Sequence, residues 1–125
     1  MLSPKPIRVL VADSHEMSRI GLRIMLEIFD DFELVGEAED GTQVLNMCAQ
    51  LQPDVTLVSM SFNPGDGIDT IRMLREHNPQ VNIVVLSSLY QPQDLEHALE
   101  AGANTVLIKG VPLDEIANAI RETGN

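Results

Sequence analysis

IRVLVADSH, residues 7–15, decides the fold. Its first six residues are an apolar, β-branched run of the kind that fills a strand buried on both faces. Asp13 and Ser14 follow at once, and either side chain can cap a helix. Met17, Ile20, Gly21, Ile24, Met25 and Ile28 then recur at helical spacing, which predicts a helix to about Phe29 with Met17, Ile20, Ile24 and Ile28 as its core stripe.

The alternation continues along the chain. ELVGEA (33–38) reads as a second strand, Asp40-Gly41 as a turn, and Val44, Leu45, Met47, Cys48 and Leu51 stripe a second helix that Pro53 stops. DVTLVSM (54–60) is a third strand, and SFNPGDG (61–67) reads as a loop. Ile68, Ile71 and Leu74 mark a third helix closed near Asn78-Pro79, and VNIVVL (81–86) is a fourth strand. A helix over 92–101, a strand over 104–108 and a helix over 112–123 complete the pattern, with Pro112 at the last helix's first turn. Strict alternation implies an α/β fold, a parallel sheet with helices on both faces. Five such units suit the flavodoxin-like, doubly wound order 2-1-3-4-5 with five helices. Ligands of such sheets bind at the carboxyl ends of the strands. That rule gathers Asp13, Ser14 and His15 after strand 1, Ser59–Ser61 after strand 3, Ser87-Ser88 after strand 4 and Lys109 after strand 5.

Composition narrows the function. The chain has 125 residues, enough for one domain over 1–125 with no output domain inside it. Its 8 basic and 19 acidic residues give a net charge of −11, which opposes binding to nucleic-acid phosphates through this domain. No apolar run approaches the ~18 residues of a membrane span, and no signal segment opens the chain, so a soluble cytoplasmic protein is expected. One cysteine excludes an internal disulfide and a Cys-rich metal site. Cys48 is expected in the core, and His15, His77 and His97 are too scattered for a metal cluster. The six Met fall mostly on stripes, which predicts packing roles.

IRVLVADSH, the GLR of the first helix, LVGEAEDG, QPDVTLVSM, GDGID, VVLSS, EAGANTVLIK and PLDEIANAI together resemble a response-regulator receiver domain. The likeness is to the CheY-like branch joined to a LuxR/NarL-type helix-turn-helix. It implies phosphoryl transfer to an aspartate at the end of strand 3. It also implies Mg²⁺ held with two acidic residues after strand 1, a Lys after strand 5, a Ser or Thr after strand 4, and an aromatic switch in strand 5.

Asp13, Ser87 and Lys109 match that pattern, whereas Ser14, Ser59 and Val106 depart from it. Asn63-Pro64 also shifts the proline of the loop by one place. A serine hydroxyl is not ionised at neutral pH and needs a base to attack phosphorus. Mg²⁺ wants carboxylates, and two of the three expected are replaced.

The resemblance therefore implies a degenerate pocket, with no catalytic residue, no metal and no cofactor. The expected function is regulatory: a phosphorylation-independent module of two-component signalling, not an enzyme. It would act by homodimerisation or contact with a protein partner, to control transcription through an output domain outside the chain. The alternative is a phosphoacceptor that uses Ser59 or Asp66. A flavin carrier is disfavoured, because SHEMS (14–18) lacks the cradle a flavin phosphate needs. Lys109 is expected to pair with Asp13. On the first helix Leu22, Leu26 and Phe29 lie opposite the expected core stripe, which makes them the expected interface.

Overall fold

The computed structural model describes residues 5–60, 64–88 and 92–124, the side chains of 64–66 excepted. Strands and helices alternate as β1 (Ile7–Ala12), α1 (Glu16–Ile28), β2 (Phe32–Ala38), α2 (Gly41–Leu51), β3 (Val55–Met60), α3 (Pro64–His77), β4 (Asn82–Ser87), α4 (Pro92–Ala101), β5 (Thr105–Ile108) and α5 (Leu113–Gly124). The strands pair in parallel in the order β2-β1-β3-β4-β5. This is the flavodoxin-like doubly wound sheet that the sequence predicts.

Because strand side chains alternate in direction, the sheet splits the core in two. Val9, Val11 and Leu57 pack with α1 and α5, around Leu22, Met25, Leu26, Ile116 and Ile120. Leu10, Val58 and Met60 pack with α2, α3 and α4, around Val44, Cys48, Ile71 and Ala98. Cys48 is in the core as expected, and burial pushes its thiol above the usual range.

Helix α1 corrects the expectation about its own face. Leu22, Met25 and Leu26 are buried, whereas Met17, Ile24 and Ile28 are 80, 52 and 62% exposed. Leu22 and Leu26 are therefore core residues and not an interface. Phe29 is half-buried, packed edge-on to Phe32 with the Arg121 guanidinium over its ring. The helix carries two apolar stripes of similar size, and hydrophobic burial at ~2 kcal/mol per large side chain cannot choose between them. The arginines on its flank do. Arg23 reaches the Glu37 carboxylate with two bonds of 2.8 and 2.9 Å, and Arg19 lies 3.9 Å from it. One turn apart, they turn that flank toward β2 and Leu22 and Leu26 inward.

Two boundaries also move. α3 begins at Pro64, within the expected loop, because proline suits a helix's first turn. Asp40-Gly41 is no free turn: Asp40 caps α2 by accepting from the Gln43 N–H at 2.8 Å. Met17 and Met73 are exposed, so methionine here is not confined to packing. No helix among the described residues is long and apolar enough to cross a membrane.

Candidate functional site

Asp13 stands one residue past β1. Its side chain is fully buried, and its Oδ1 accepts the His15 backbone N–H at 2.9 Å. Its Oδ2 is buried and has no hydrogen-bond partner. Ser59 is the last but one residue of β3, nine-tenths buried, and its Oγ has no partner either. Val58 pairs with Ala12, so one more step of that register sets Ser59 beside Asp13. Ser87 ends β4, buried, opposite Met60 and Ile108. The Lys109 N–H donates to the Ser87 carbonyl at 2.8 Å, which ties the start of the β5–α5 connection to β4.

The structure thus brings Asp13, Ser59, Ser87 and Lys109 to one edge. Ser14 is exposed there, its Oγ 3.3 Å from His15 Nδ1. Val106 is half-buried in β5 and packs against the α2–α4 side of the core. The Asp66 side chain and Ser61 lie outside the described residues.

The expected Asp13–Lys109 pair does not form. Among the described residues Lys109 has no ion pair, and Asp13 keeps a bare oxygen. A strand end places a residue at the edge, but the direction of its side chain is set by what packs on it.

Sequence reasoning missed a cleft of about 560 Å³ that adjoins this edge. It lies between the β1–α1 turn, the start of α2 and α3, and Ser59 lines it. Gly41 lets its wall close up: a Cβ there would stand 2.8 Å from Thr70 Oγ1, and that side chain would have to move. The signal was present in Asp40-Gly41, where a capping aspartate is followed three residues later by Gln43.

A doubly wound parallel sheet with Asp13, Ser87 and Lys109 gathered at its carboxyl edge defines an α/β domain of the receiver type. The chain belongs to the response regulator receiver domain family, which it matches over residues 9–121. It is a receiver domain of two-component signalling, and such domains are signalling modules.

Among curated proteins it is 32% identical over 120 residues to the response regulator protein VraR of Staphylococcus saprophyticus, covering 96% of this chain and 57% of that protein. It is 32% identical over 117 residues to VraR of Staphylococcus aureus, covering 94% of this chain and 56% of that one. The chain thus spans little more than half the length of these relatives. Among solved structures it is similar to the receiver domain of the putative response regulator NarL from Mycobacterium tuberculosis. That match has a TM-score of 0.89 at 28% identity and covers 97% of this chain and 98% of that one. It also resembles RcsB from Salmonella enterica serovar Typhimurium bound to promoter rprA. There the TM-score is 0.81 at 27% identity, over 96% of this chain and 63% of that one.

Proposed function

We propose that this receiver signals without an aspartyl phosphate and acts by associating with a second copy of itself. The observation that carries this is Ser59, a buried neutral hydroxyl where the receiver pattern calls for the acceptor carboxylate. Its Oγ has no hydrogen-bond partner, hence no base to activate it, which also disfavours Ser59 as a nucleophile.

Mg²⁺ does not fit the residues present. Asp13 offers one free oxygen, Ser14 and Ser59 bring no charge, and no group of three or more His, Cys, Asp or Glu among the described residues can hold a metal. Val106, an aliphatic residue in β5, has no aromatic ring to turn toward a Ser or Thr hydroxyl after strand 4.

Association has a surface in the exposed stripe of α1. At ~100° per residue Met17, Ile20, Ile24 and Ile28 share one outward face. The charges of α1 balance, Glu16 and Glu27 against Arg19 and Arg23, in a chain of net charge −11. Two copies meeting on this face therefore bring little charge repulsion of its own. In the cytoplasm such a pairing would control transcription through an output domain outside residues 1–125, as the helix-turn-helix branch of the family does. The acidic receiver itself leaves DNA contact to that domain.

Sedimentation over a concentration series tests the reading. The parent should self-associate equally with and without a small phosphodonor, and Ile24→Glu should be a folded monomer. Leu26→Glu, by contrast, buries a charge and should unfold the domain at a cost of several kcal/mol, on the order of 4. A parent that associates only with the phosphodonor, or an Ile24→Glu that associates like the parent, contradicts the reading.

A further inference from the structure

We infer that Gly21 is a socket in α1 for Ile24 of a second copy of the chain, so that two α1 helices cross antiparallel on their exposed faces. Gly21 stands in the middle of the 13-residue helix. A glycine there destabilises a helix relative to alanine. Nothing within one copy offsets that loss. The backbone of Gly21 is helical, outside the positive-φ region that favours glycine. The residue is exposed, and a Cβ built on it would meet no other described part of the chain within 4 Å. Neither backbone conformation nor internal packing calls for glycine at this position.

The surroundings of Gly21 indicate what fills the gap. Met17, Ile24 and Ile28 share its face, each more than half exposed. Gly21 is thus a notch in an apolar ridge, and the ridge holds no charged residue. Ridge positions 17, 21, 24 and 28 are 4, 3 and 4 residues apart, a spacing that reads the same in either direction. Two such ridges can run antiparallel about a two-fold axis between Gly21 and Ile24. Gly21 then faces Ile24 and Met17 faces Ile28, twice over, so a β-branched knob enters each notch. Run parallel, glycine would face glycine and leave a void, while Ile24 would meet Ile24. The choice of a second copy also follows from charge. Two chains of net charge −11 repel where their charged surfaces meet, and this ridge lets them touch without burying a charge.

This inference rests on the self-association proposed above and specifies its geometry. Gly21→Ala tests it, because helix and interface should respond with opposite sign. At a dilution where parent and variant are both monomeric, the variant should have the higher thermal midpoint, by a few degrees. In sedimentation over a concentration series it should associate at least about tenfold more weakly, because a methyl group fills the socket. The direction of crossing is read separately. Met17→Cys and Ile28→Cys chains, one of them carrying a mass tag, are treated with a short bis-maleimide, alone and mixed. Cys48 is buried and does not compete. The mixture should give a crosslinked pair with one chain of each kind, and neither variant alone should give one. A Gly21→Ala that associates as tightly as the parent, or that is less stable as a monomer, overturns the inference. So does the absence of a mixed pair, or either variant crosslinking with itself as readily as in the mixture. Each of these outcomes leaves self-association standing, whereas a parent that stays monomeric at every concentration overturns both.

Discussion

The two edges of the sheet are built on opposite terms. At the amino edge the buried polar groups among the described residues are paired. Arg75 donates to the carbonyls of Gly102, Pro79 and Val81 and to Asn104 Oδ1, at 2.7 to 3.2 Å. Asn104 Oδ1 also accepts the Ile83 N–H, and Asp54 accepts the Arg8 N–H at 2.8 Å. Gly102, with a φ of +127°, ends α4 in a conformation that favours glycine, and Arg75 folds against it. At the carboxyl edge, Asp13 and Ser59 each hold a buried oxygen with no partner. Stability is concentrated where bonds are complete. Unsatisfied buried groups mark the edge that is left for a ligand or a reaction.

Substitutions at the two edges should therefore differ in sign. The largest effect is expected at the amino edge. Arg75→Met keeps much of the packing and strands several carbonyls, and should cost ~2–3 kcal/mol in chemical denaturation. A loss within error of zero would break the contrast.

At the other edge Asp13→Asn should raise stability by ~1 kcal/mol, because it removes a buried charge whose Oδ2 has no donor. A destabilised Asp13→Asn would show that the carboxylate is satisfied after all. Ser59→Ala should change stability by less than ~1 kcal/mol, since the lost hydroxyl makes no bond.

The smallest effect is also at the amino edge, where Arg121 binds Asp31 at 2.7 Å and holds its carboxyl below the usual range. A lowered folded pKa adds stability above the ordinary carboxylate range, and that stability is lost as pH falls through the folded value. Asp31→Asn should therefore be slightly weaker than the parent at neutral pH and indistinguishable in acid. Both groups are substantially exposed, so the gap should be small.

The strands were legible because a buried parallel strand is a continuous apolar run, and IRVLVA and VTLVSM have no other use. The carboxyl-edge rule then placed Asp13, Ser59, Ser87 and Lys109 together. The rotation of α1 was not legible. Its two apolar stripes compete evenly, and the deciding partner, Glu37, is 14 residues from Arg23 in sequence. The Asp13–Lys109 pair was misjudged for a related reason, since sharing an edge does not aim two side chains at each other. The cleft was hidden because Gly41 and Thr70 meet only once α2 and α3 pack.

Exposure to a small phosphodonor with Mg²⁺, followed by intact mass, tests the central claim most directly. The Ser14→Asp, Ser59→Asp double mutant serves as the positive control, because it restores both missing carboxylates. The parent should keep its mass while the double mutant gains one phosphoryl group, and Ser59→Asp alone should gain less. A phosphoryl group on the parent, mapped to a residue of the carboxyl edge, would contradict the account.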